Sequence, residues 1–170
     1  MDWRREFIIQ FEGLKEGVHH FNFEVGDAFF AGFEGSLVDR SDLKVSLELE
    51  KKSTMLVLDF SVGGVIIREC DRCGDPLEVP MDFKQQLFVK YGEEEADADD
   101  NIVFIPQSAF ELDVAPYIYE SVVLELPLRN VHPEGQCNEA ATKILDDMNT
   151  RAESKIDPRW NKLKDLKTDN

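Results

Sequence analysis

The sequence predicts an α+β fold, with an antiparallel β-sheet or partly open barrel as its core and two or three C-terminal helices. Two observations argue for the sheet. Leu43, Val45, Leu47 and Leu49 form one period-two run, and Leu56, Leu58, Phe60 and Val62 form another after the turn Lys51-Lys52-Ser53, as neighbouring antiparallel strands with one buried face require. Leu77, Val79, Met81, Phe83, Leu87, Val89 and Tyr91 then share one parity, with Gln85 the exception, and read as one long strand. The third observation is a change of period. Val114, Ile118 and Val122, and later Ala141, Ile144, Leu145 and Met148, recur at helical spacing.

The remaining elements follow in order. Phe7, Ile9 and Phe11 alternate, the chain turns at Gly13 to Gly17, and His19, Phe21, Phe23 and Val25 alternate again, so a first hairpin is expected. His19 and His20 fall on opposite faces of its second strand and cannot form a paired site by themselves. Asp27 to Phe33 reads as a helical turn that plugs one end of the core with Phe29, Phe30 and Phe33. Gly63-Gly64 marks a bulge or sharp bend. Ile102 to Ile105 is a short strand stopped by Pro106. A helix begins at a capping Asp113, tolerates Pro116 in its first turn and ends at Pro127, and another starts at Asn138.

All three cysteines lie in two turns. Cys70 and Cys73 have C-x2-C spacing in Glu69-Cys70-Asp71-Arg72-Cys73-Gly74-Asp75-Pro76, at the tip of a β-hairpin, and His132 and Cys137 have H-x4-C spacing. Three thiolates and one imidazole are the donors of a closed, tetrahedral structural zinc site. The first turn favours metal over redox chemistry. Gly74-Asp75-Pro76 stops a helix, whereas a redox C-x2-C sits at a helix start, and a glycine after the second cysteine lets backbone N–H groups fold back towards sulfur. Ordinary reduced thiols and a redox disulfide are the alternatives.

Nineteen basic and 35 acidic side chains among 170 residues give a net charge of −16. Such a surface repels phosphate backbones and suits a basic protein partner. Six acids crowd residues 93–100, so 92–101 is expected to be a solvated, mobile loop that lacks the glycine and closing glutamate of a calcium-binding loop. Residues 1–150 read as one domain and 151–170 as a basic tail or short helix, with six basic and four acidic side chains. Within that tail Arg159, Trp160, Lys162 and Lys164 are candidate partner-binding residues. No apolar run is long enough to span a membrane, and a cytoplasmic location is expected. The chain carries no phosphate-binding glycine loop, no G-x-S-x-G and no H-E-x-x-H, and four protein ligands would leave a metal no open position, so catalysis is not expected.

Together these residues resemble the YceD family, the bacterial large ribosomal RNA subunit accumulation proteins. The likeness rests on the knuckle Glu69 to Leu77, on Glu111-Leu112-Asp113-Val114 running into Glu120 to Pro127, and on Val131-His132 to Cys137. The terminal Asp157-Pro158-Arg159-Trp160 with its lysines is also similar to tails of that family. Many members carry further cysteines after the position of Cys137; this sequence does not, which leaves His132 as the fourth donor. The resemblance implies a non-enzymatic role in large-subunit rRNA accumulation or processing, for genes often placed beside one for a large-subunit ribosomal protein. Charge adds a basic ribosomal protein or pre-ribosomal particle as partner, with rRNA contact left to local basic patches and the tail. A zinc- or redox-responsive regulatory or structural binding protein is the alternative.

Overall fold

The computed structural model describes residues 3–92 and 101–153. The described residues form two compact units, one of residues 3–68, 76–92 and 101–130, the other of residues 69–75 and 131–153.

In the first unit a 3-10 turn, Trp3–Phe7, leads into β1 (Ile8–Ile9), β2 (Gly17–Gly26), α1 (Asp27–Phe30), β3 (Arg40–Lys51), β4 (Met55–Glu69), β5 (Pro76–Tyr91), β6 (Ile102–Ile105), β7 (Leu112–Asp113) and α2 (Ala115–Glu125). Five strands make one sheet in the order β2-β3-β4-β5-β6, and β1 pairs with β7 in a second, two-stranded sheet. The α+β class holds, and the sheet does not close into a barrel.

The long alternating runs form the centre of the sheet. β3 and β4 pair antiparallel without interruption from Arg40 opposite Ile67 to Lys51 opposite Leu56. Every second side chain therefore faces the core, and Leu43, Val45, Leu47, Leu49, Leu58 and Phe60 are all buried. Each such side chain contributes about 1.5–3 kcal/mol by leaving water. Of the bulge or sharp bend expected at Gly63-Gly64, no bulge interrupts the pairing with β3: that register passes straight through, with Leu43 opposite Gly64. Gly64 instead lets the neighbouring strand come close. Its φ is +142°, and a Cβ there would collide with the carbonyl oxygen of Asp42 and stand 2.9 Å from the Cα of Leu43.

Two pairings differ from the sequence reading. The expected hairpin of residues 7–11 with 19–25 does not form, because β1 pairs antiparallel with β7 (Ile8 opposite Asp113) while β2 pairs with β3. Alternation specifies which face of a strand is buried, and Phe7, Ile9 and Phe11 are indeed buried, but it does not specify the partner. β6 runs parallel to β5, with Phe88 opposite Ile102, so the sheet is mixed instead of wholly antiparallel.

α2 packs against β5 and buries Ala115, Ile118 and Val122. Its buried Ser121 is satisfied by donating its hydroxyl to Tyr117 O at 2.5 Å. Asp113 belongs to β7 and does not start the helix, yet its carboxylate accepts the Ala115 N–H at 3.0 Å, and Pro116 occupies the first turn. The aromatic plug is as expected: Trp3 meets Phe29 at 5.3 Å between ring centroids, and Phe33 stacks on Tyr119 at 4.1 Å. Each pair adds about 0.5–1.5 kcal/mol beyond its burial. Asp27, the first residue of α1, makes no side-chain cap to the helix; its carboxylate instead accepts the Ser41 N–H of β3 at 2.8 Å.

In the second unit, α3 (Glu139–Glu153) begins where Asn138 Oδ1 accepts the Ala140 N–H at 2.9 Å, which satisfies one of the unpaired donors of the first turn. Ile144 and Met148 of its apolar row are exposed. Among the described residues, two helices lie in the C-terminal half and the short α1 in the N-terminal half. No described helix is long and apolar enough to cross a membrane. Residues 93–100 of the expected acidic loop and residues 154–170 of the tail, with Arg159, Trp160, Lys162 and Lys164, lie outside the described residues.

Candidate metal centre

The second unit brings together the two turns that hold the cysteines. In the first, Gly74 donates its N–H to Cys70 O at 2.8 Å and Cys70 donates to Asp75 O at 2.9 Å, closing a tight loop. Gly74 takes the left-handed conformation, φ +77°, that its place after Cys73 predicted. In the second, Gln136 N–H donates to Pro133 O at 3.1 Å and Gly135 has φ +81°, which bends the chain between His132 and Cys137.

The result is one cluster. The ligand atoms of Cys70, Cys73, His132 and Cys137 all lie within 4.8 Å of one another. Cys70 Sγ is 3.9 Å from Cys137 Sγ, and Cys73 Sγ is 3.4 Å from His132 Nδ1. Around a tetrahedral zinc ion the sulfur–sulfur edge is about 3.8 Å and the sulfur–nitrogen edge about 3.6 Å, given metal–ligand bonds of about 2.3 and 2.0–2.1 Å. Both separations lie close to those edges, so the residues present fit a four-coordinate metal. Cys70 is buried and the other three are half-buried, which shields the site while leaving it open to loading.

The electrostatics favour thiolate at one position. Burial opposes ionisation of Cys70, but backbone N–H groups of His132, Arg72 and Cys73 and the thiol of Cys73 outweigh it and bring its pKa down to about 6. Cys137 moves the other way, raised by burial and by the neighbouring Cys70 and Cys73. A site poised to hold one thiolate attracts a cation and releases protons as it fills. The backbone contribution of His132 has no signature in the sequence, because it depends on where a loop 59 residues from Cys73 comes to lie. His19 and His20 take no part: His19 Nε2 lies 2.8 Å from Lys15 O and His20 faces Glu48.

The family model described as Large ribosomal RNA subunit accumulation protein YceD matches residues 58–167. The chain belongs to the YceD family. The match takes in most of β4, the whole of β5, both cysteine-bearing turns and all of α3. No curated protein and no solved structure matches the chain. The YceD description places the chain among proteins of large-subunit rRNA accumulation.

Proposed function

We propose that this YceD-family protein supports large-subunit rRNA accumulation in the cytoplasm without catalysis, by holding a basic large-subunit ribosomal protein or an assembly intermediate that contains one. The net charge of −16 carries this reading, because an acidic surface attracts a basic protein and repels free RNA. The four-donor cluster supports the non-catalytic role. Cys70, Cys73, His132 and Cys137 would hold zinc with no position left for a reacting water, so the metal supplies rigidity to two loops. Residues 1–150 act as the binding domain, and the tail with Arg159, Trp160, Lys162 and Lys164 supplies local contact to rRNA or to the particle. The test mixes the purified protein separately with salt-extracted large-subunit proteins and with rRNA fragments. Retention of a basic ribosomal protein, with no gel shift of free rRNA at low salt, is expected; a shifted rRNA with no ribosomal protein retained overturns the proposal.

One observation favours a second reading, that of a redox-responsive binding protein. The Cys70 and Cys137 sulfurs are 3.9 Å apart, and hydrogen peroxide would oxidise these two thiols to a disulfide, its O–O bond breaking and the two thiol protons leaving in the two waters formed. A disulfide formed by mild peroxide in the metal-loaded protein would support it, and thiols that persist until the metal is stripped would count against it.

A further inference from the structure

The outward face of the first unit's sheet carries a groove of about 750 Å3. Its shape follows from the side chains at facing positions. Asn22, Ser46 and Ser61 lie opposite one another on β2, β3 and β4, and the two serines are too small to fill the space above the strands. Two residues along each strand, His20, Glu48 and Asp59 form a second, taller row, which Gln86 of β5 extends by donating Nε2–H to Asp59 Oδ1 at 2.7 Å. A floor of hydroxyls is thus bordered by a wall of longer polar groups.

One pairing in that wall is unfavourable by itself. Glu48 and Asp59 sit directly opposite each other on adjacent strands, where like charges repel. His20 Nδ1 stands 3.7 Å from Glu48, and Gln86 bonds to Asp59, yet no cationic side chain among the groove-lining residues lies between the two carboxylates in the register. Lys84 lines the groove from β5, on the far side of β4 from Glu48.

We infer that this groove is the docking surface for an extended, arginine-bearing segment of the basic partner, with a guanidinium seated between Glu48 and Asp59; this rests on the proposed function above. Carboxylates in the wall exclude a phosphate backbone and accept the planar fork of arginine. The amides of Asn22 and Gln86 and the hydroxyls of Ser46 and Ser61 supply both donors and acceptors, as the N–H and C=O groups of an extended peptide require. The four strands span about 14 Å, the length of four or five extended residues laid across them. Lys84 fixes the polarity, since it repels a second cation at the β5 end.

The test uses the full chain and a fluorescein-labelled nine-residue peptide of alternating arginine and serine. Its controls are the peptide with glutamate in place of arginine and a uridine decamer. Glu48→Gln with Asp59→Asn keeps side-chain shape and is compared with Glu139→Gln with Asp146→Asn on α3, which removes the same charge. At low salt the groove double variant is expected to bind the arginine peptide at least tenfold more weakly and the α3 variant less than twofold more weakly, with both melting near wild type. Equal loss in the two variants, no peptide binding by wild type, or uridine decamer binding that Glu48→Gln with Asp59→Asn strengthens at the expense of peptide would overturn the inference. Retention of large-subunit proteins separates the two readings. A groove double variant that still retains them overturns the groove and leaves the proposed function standing; peptide bound in the groove with no ribosomal protein retained supports the groove and overturns the proposed partner.

Discussion

Cys73 Sγ lies 3.4 Å from Nδ1 of His132, 59 residues further along the chain. That contact joins the tip between β4 and β5 to the loop before α3 without a covalent bond. A metal at these atoms would add its binding free energy to folding, because the donor set exists only when both loops are in place.

Purified protein is expected to carry one zinc per chain, and Cys70→Ser and His132→Ala each to lose it. Metal held at 100–1,000 times its dissociation constant stabilises by about 2.7–4.1 kcal/mol. Elemental analysis with thermal melts before and after chelation checks this. Metal-free protein that melts identically in all three forms would remove the pinning role.

In metal-free protein, thiolate absorbance should rise in separate steps, the first near pH 6 from Cys70 and the last above the ordinary thiol range from Cys137. A lowered folded pKa stabilises the fold fully above the unfolded thiol value of about 8.5, and that contribution is lost as pH falls through about 6. Urea midpoints of the metal-free form should therefore fall between pH 8.5 and 6. Cys70→Ser should abolish the low step in absorbance; a titration unchanged by it would refute the assignment.

Gly64→Ala should cost about 2–4 kcal/mol, as the added methyl meets the Asp42 carbonyl and Leu43 Cα at a left-handed φ. Gly63→Ala, where a Cβ meets nothing within 4 Å, provides the control. Urea unfolding of the two variants compares them directly, and equal midpoints would mean that β3 moves aside at little cost.

Lys51 Nζ donates to the carbonyls of Phe11, Glu12 and Leu14 at 2.8, 3.1 and 2.8 Å and so ties the turn after β1 to the end of β3. Lys51→Met keeps most of the stem and removes the donors. A loss of about 1.5–3 kcal/mol is expected for charge-assisted bonds, with faster hydrogen exchange at Leu14, whose N–H donates to Phe11 O. Unchanged exchange there would show that the turn holds without the lysine.

Asn138→Ala should reduce stability by about 0.5–2 kcal/mol through loss of the α3 cap. Helical circular dichroism and the melting temperature read this effect. Asn138→Asp, which keeps the acceptor oxygen, should restore most of it.

The sequence by itself determined the strands β3, β4 and β5, the helices α2 and α3, and the four donor residues. These are local signals: period two from Leu43 to Tyr91, period 3.6 around Ile118 and Ile144, and the spacing of Cys70 with Cys73 and of His132 with Cys137. Pairing was decided only by the tertiary structure. Ile8 opposite Asp113, Phe88 parallel to Ile102, and Glu48 facing Asp59 each depend on which distant segment buries the complementary surface. The outward face of a strand carries no periodic signal, so the serine-floored groove was not legible in the chain. The same limit held at the metal centre. Spacing named its four candidate donors, but the N–H groups that lower the Cys70 pKa to about 6 come partly from His132, and only folding sets that neighbour beside it.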